Sequence, residues 1–181
     1  MSIFDHIQSQ LDGQDAQPPL HLWQPELSGD IDITIRANGD WYHDGGLIKR
    51  LQLVKLFASI LRREADGEYY LVTPVEKWRL TVEDSPLVIV DMDIQNQGTP
   101  QQEIIFTNNV ERFYAAGDQY PLVVKHLEQE NQAVPYLTLE NGLQAKLSRS
   151  VFYRLVDIAE TDGNRLKVLS NKLYFELGSI E

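Results

Sequence analysis

The sequence predicts an α+β fold made of a duplicated strand-helix-strand motif and two small β-rich subdomains. Three observations carry this: alternating apolar residues at Ile31, Ile33 and Ile35, an apolar helical repeat over 48–64, and a stretch, 138–169, that repeats the same order of signals. With 181 residues, 43% of them hydrophobic, the chain suits one compact domain or two small ones sharing a core.

Residues 1–19 are assigned to an N-terminal helix and linker. Ile3, Phe4, Ile7 and Leu11 recur at helical spacing after Ser2, a candidate N-cap, with Asp5 placed to complete a capping box. The run 12–19, DGQDAQPP, has no periodicity and two prolines. The first repeat subdomain spans 20–86. Ile31, Ile33 and Ile35 alternate with Asp32, Thr34 and Arg36, as in a strand with one buried face. Asn38-Gly39 signals a two-residue hairpin, and Trp41-Tyr42-His43 forms the returning strand. The following helix buries Leu51, Val54, Phe57, Ala58 and Leu61 and closes at Asp66-Gly67. Strand-like runs lie at 69–73 and 77–83 and, in the second subdomain (87–181), at 87–94, 103–107 and 110–114.

In the later stretch, Asn141-Gly142, Leu147-Ser148-Arg149 and Asp162-Gly163 stand where the earlier one has Asn38-Gly39, Ile48-Lys49-Arg50 and Asp66-Gly67. The first copy differs by an insertion rich in Trp41, His43 and Gly45-Gly46. Aromatic, imidazole and guanidinium groups on a loop suit a planar or anionic ligand. The alternative is that the glycines supply positive φ and Trp41 covers the core. Arg50 and Arg149 begin their helices, the unfavourable end for a cation, so fixed partners are expected: a carboxylate such as Glu76, or a captured anion. Thr73-Pro74-Val75-Glu76-Lys77 bends between two strand runs, as a plain turn or as part of a site. The expected ligand-binding set is Trp41, His43, Arg50, Thr73, Glu76, Lys77 and Arg149, in a cleft between the halves. No catalytic residue, metal ligand or cofactor is assigned.

Several classes are disfavoured. The absence of cysteine excludes disulfides and thiol nucleophiles and fits a reducing cytoplasm. A polar N-terminus and no long apolar run predict a soluble cytoplasmic chain with no membrane partner. A net charge of -11 disfavours extended nucleic-acid binding. No phosphate-loop, dinucleotide-loop or nucleophile-elbow motif occurs, and His6, His21, His43 and His126 lack ligand spacing. Asp91 and Asp93 share a strand face, which is read as solvated, with Val90, Met92 and Ile94 inward.

Gly39-x-Trp41-x-His43-x-Gly45, Ile48-x-Arg50, the run LVTPVEK (71–77), Val82-Glu83-Asp84-x-Pro86, Pro135-Tyr136 and Gly142-Leu143-x-Ala145-x-Leu147-x-Arg149 together carry a resemblance. Over most of its length beyond the N-terminal helix and linker, the chain resembles an uncharacterised bacterial family, domain-of-unknown-function family 1285. The resemblance implies a duplicated α+β core, a C-terminal half loosely similar to pleckstrin-homology-like folds, and a nucleotide-type ligand site between the halves with a role in signal transduction. No activity comes with it. The chain departs from the pattern at Gly46 and at Leu47, which stands in place of a Pro and implies a looser turn. The expected function is a small-ligand, nucleotide-type binding or sensing module, its partner a nucleotide-derived small ligand. The alternatives are a hydrolase or transferase using Glu76 or His43 as base, and a protein-interaction adaptor using the β surface.

Overall fold

The computed structural model describes residues 5–7, 9, 17–127 and 132–180. Residues 5–7 and 9 are helical and Ile7 is buried, whereas Ser2, Ile3, Phe4 and Leu11 of the expected N-terminal helix lie outside the described residues. The chain divides into two compact units, Met1–Asp84 and Ser85–Glu181.

In the first unit, a 3-10 turn (Leu20–Leu22) precedes β1 (Gly29–Ile35), β2 (Trp41–His43), β3 (Gly46–Leu47), α1 (Leu51–Ser59), β4 (Leu61–Arg63), β5 (Tyr69–Val72) and β6 (Lys77–Val82). The strands form one mixed sheet in the order β3-β2-β1-β6-β5-β4. Ile31, Ile33 and Ile35 are buried, as the alternation requires. From the next strand, Trp41 stacks on Phe57 of α1 with ring centroids 6.3 Å apart, and Phe57 is fully buried. Helix α1 stops well before residue 64. Ser59 Oγ donates to the Leu56 carbonyl at 2.6 Å, and Leu61–Arg63 instead pair with Tyr69–Leu71, so the apolar run continues as strand.

In the second unit, β7 (Leu87–Gln95), β8 (Glu103–Asn108), β9 (Phe113–Ala115), β10 (Leu122–Leu127), β11 (Gln132–Thr138) and β12 (Gln144–Leu147) precede α2 (Arg149–Asp157). An antiparallel meander, β13 (Glu160–Asp162), β14 (Arg165–Ser170) and β15 (Leu173–Ser179), ends the chain. Asp91 and Asp93 are exposed, as expected. A register shift between Ile89 and Asp91 turns Val90 outward too, so only Met92 of the expected inward trio is fully buried.

The chain is duplicated, but in a different register from the one its signals suggest. The second sheet runs β9-β8-β7-β12-β11-β10, the same succession as the first with six added to each strand number. In both, two antiparallel meanders join through a parallel central pair, β1 with β6 and β7 with β12. The counterpart of β1 is therefore β7, not β11. The counterpart of the connection holding α1 is the helix-free segment 116–121, and α2 with its meander follows the second copy as an addition. Arg149 is accordingly not the structural equivalent of Arg50.

The shared dipeptides misled because they sit in unlike turns. Asn38-Gly39 belongs to a three-residue loop: Gly39 N–H donates to Arg36 O, Arg36 N–H donates to Asp40 O, and only Gly39 has positive φ (91°). In Asn141-Gly142 both residues have positive φ, 59° and 72°. The tight two-residue turn of the first unit is Asp44-Gly45 (φ 49° and 74°), which pairs His43 with Gly46 and Tyr42 with Leu47. Leu47 therefore follows a close turn, not a loosened one.

Candidate functional site

Within the first unit, most of the expected ligand residues serve the fold. Trp41 is 1% exposed, its ring committed to Phe57. His43 donates from Nδ1 to the Asp32 carbonyl at 2.9 Å and sets Nε2 3.3 Å from Asp44. It thereby braces β1 where the parallel ladder is irregular, since Asp30–Thr34 of β1 spans only Arg79–Thr81 of β6. Thr73 is fully buried, and its Oγ1 accepts from Glu76 N–H at 3.0 Å, so the Thr-Pro bend is a side-chain-capped turn. Glu76 pairs with His6 at 3.2 Å and not with either arginine. Arg50 occupies the N-cap of α1 through its backbone, and among the described residues its guanidinium has no ion-pair partner.

Lys77 belongs to a cluster that motif reading did not find. Its ammonium donates to Glu64 at 2.9 Å and lies 4.7 Å over the Tyr70 ring. Arg62 holds the other Glu64 oxygen at 2.6 Å and donates to the carbonyls of Leu20 and Trp23, tying the chain entering the sheet to β4. Burial pushes the Glu64 carboxyl upward, but hydrogen bonds from Lys77 and Arg62 outweigh it and hold the group below its usual range. Tyr70 O–H donates to Asp66 at 2.5 Å, which pushes the phenol up to about 12 and holds Asp66 low. Every charge here has a partner, so the cluster fastens the fold.

In the second unit, Arg149 opens α2, whose N-cap is Ser148, its Oγ accepting from Val151 N–H at 3.4 Å. Arg149 lines a cleft of 340 Å³ with Lys146, Phe152, Tyr153, Val134 and Pro135. Phe152 and Tyr153 lie three and four positions beyond Arg149, so the helix period brings them to the same side. That spacing was visible in the sequence, as was Lys146 three residues before Arg149, but neither belongs to a known motif. Tyr153 is 59% exposed, unusual for an aromatic residue of a folded unit. On the adjoining turn of α2, Arg154 bonds Asp91 at 2.6 Å and the Met92 carbonyl at 2.8 Å, which fixes the helix to β7. The arrangement offers two cations and two aromatic rings to one small space. That chemistry suits a planar anion.

The family model for the N-terminal domain of a domain of unknown function (DUF1285) matches residues 18–85, and that for the C-terminal domain of the DUF1285 proteins matches residues 86–177. The chain belongs to the DUF1285 family. It is similar to the crystal structure of a DUF1285 family protein from Silicibacter pomeroyi DSS-3, with 36% identity, a TM-score of 0.87, and coverage of 95% of this chain and 93% of that one. A DUF1285 family protein from Shewanella baltica OS155 is 34% identical with a TM-score of 0.56, covering 71% of this chain and 92% of that one. No curated protein matches the chain. Among the described residues of this DUF1285 protein, no group of three or more His, Cys, Asp or Glu could hold a metal ion. No described helix is long and apolar enough to cross a membrane.

Proposed function

We propose that this DUF1285 protein is a binding or sensing module for a small, planar, anionic ligand of nucleotide type, and that the ligand occupies the second-unit cleft. The observation that carries the reading is the meeting of Lys146 and Arg149 with Phe152 and Tyr153 around one 340 Å³ space. Ligand clefts run from about 300 to 1,000 Å³, so this one suits a mononucleotide better than a dinucleotide. Arg149 and Lys146 supply charge-assisted hydrogen bonds to a phosphate, and Tyr153 offers an exposed ring for stacking. A local cation pair is sufficient for a small anion even on a chain of net charge -11, because distant charges are screened within about 10 Å. A part in signal transduction and a loosely pleckstrin-homology-like second half belong to the same proposal, supported by the β-rich second unit with its single described α-helix.

The test is thermal unfolding of the full chain against a panel of mononucleotides, with Arg149→Ala and Lys146→Ala alongside. A ligand bound only by the folded state raises the midpoint by mass action. At ligand concentrations about 100-fold above Kd the gain is about 2.7 kcal/mol, and each variant is expected to lose most of it relative to its own ligand-free midpoint. No stabilisation by any mononucleotide, or an undiminished response in both variants, would count against the reading.

A further inference from the structure

A second cleft of the second unit, 440 Å³ in volume, lies between the loop 98–102 and the β14–β15 turn. Its walls are tied together by one buried side chain. Gln102, 8% exposed, accepts from Gly98 N–H at 2.9 Å and donates to the Leu169 carbonyl at 2.8 Å, while its own carbonyl accepts from Asn171 N–H at 3.0 Å. The cleft is thus built in advance of any ligand.

Two side chains of opposite charge line it, Glu160 and Lys172. Among the described residues, neither makes a hydrogen bond or ion pair through its charged group. Lys167, which faces Glu160 in register, feels its charge but gives it no hydrogen bond: its ammonium donates to Asp162 at 3.0 Å and lies 4.4 Å over the Tyr174 ring. Lys172 is held at φ 67°, after Asn171 at φ 51°, in a turn where glycine would sit without strain. A charge-bearing side chain kept at a strained position, beside a preformed cleft, points to use of that charge. The first-unit cleft of 420 Å³ behaves differently, since its Arg79 and Asp30 satisfy each other at 2.7 Å. The remaining walls of the 440 Å³ cleft are Tyr174, still 52% exposed, and Leu169.

We infer that this cleft binds a zwitterion with an apolar side group, of the free α-amino acid class, with Lys172 meeting its carboxylate, Glu160 its ammonium, and Tyr174 and Leu169 its side group. The site is separate in its residues from the Arg149 cleft, and its fate does not depend on the nucleotide reading.

The test uses the full chain and L-phenylalanine as probe, with 3-phenylpropionate and 2-phenylethylamine as analogues carrying one charge each, followed by amide chemical shifts. L-Phenylalanine is expected to give saturable shifts at Gly98, Thr99 and Lys172, and each analogue to bind roughly tenfold more weakly. Glu160→Gln should weaken L-phenylalanine but leave 3-phenylpropionate unchanged. Lys172→Gly separates binding from structure: the variant should unfold at a higher temperature, because its turn is relieved, yet lose L-phenylalanine binding by roughly tenfold or more. Absence of saturable shifts at these residues up to about 10 mM, equal binding of all three probes, or undiminished binding by Lys172→Gly would overturn the inference.

Discussion

Glu64 shows how single residues divide between fold and function. Held by Arg62 and Lys77, its carboxyl titrates below its usual value of 4.5. A depressed folded value means that its stabilisation is complete above the unfolded value and is lost as pH falls through the folded one. Glu64→Gln should therefore lower stability near neutral pH by about 1 kcal/mol, a figure discounted for a pair still partly open to water. The difference from the parent should shrink below pH 4.5, and urea unfolding across the acid range measures it. None of this was legible as a motif, because Arg62, Glu64 and Lys77 meet only after β4, β5 and β6 pair. Trp41 is the converse case. Its place beside His43 and two glycines suggested a ligand loop, yet an indole in a three-residue strand facing a helix is better used in the core, where it meets Phe57. Thr73, Glu76 and His43 likewise bond within their own surroundings. Arg149 alone of the expected set lines a cleft described here.

At the scale of elements, alternation and helical period located strands such as β1 and β2 and the helices α1 and α2, since each depends on neighbours close in sequence. The Ile31, Ile33, Ile35 face is one example. Where β pairing competed with helix propensity, pairing prevailed and α1 ended at Ser59. The dipeptide signals identified turns but not turn types, and turn type decides register. One buried hydroxyl, together with Gln102 at its turn, fastens the closing meander. Ser170, fully buried, accepts from Ile104 N–H at 2.9 Å and donates to the Ala116 carbonyl at 2.7 Å, fastening β14 to the start of β8 and to the segment that takes the place of α1 in the second copy. Ser170→Ala leaves both groups without a partner and should cost about 2 kcal/mol. Denaturant unfolding checks it, and a loss near zero would mean that the meander is held mainly by its apolar contacts, Val168 and Leu177 among them.

At the scale of the whole molecule, the two sheets share one topology while their connections differ, by a helix in the first unit and a short loop in the second. Such a repeat is hidden from sequence comparison because the elements that match are strands of unlike composition, whereas the conspicuous signals, Asn-Gly and Asp-Gly, recur in any β-rich chain. Charge acts at this scale as well. A chain of net charge -11 should show no salt-sensitive retention of duplex DNA in a mobility-shift assay at physiological ionic strength, since phosphate contacts dominate such binding. A mononucleotide asks for only one local cation pair, and Lys146 with Arg149 provides it. The most direct measurement is therefore amide and side-chain chemical-shift mapping of the full chain titrated with the mononucleotide that stabilises it most. Saturable shifts concentrated at Val134, Lys146, Arg149, Phe152 and Tyr153, and abolished in Arg149→Ala, are the expected result. Shifts confined to other residues, or none that saturate, would contradict the assignment of the ligand to this cleft.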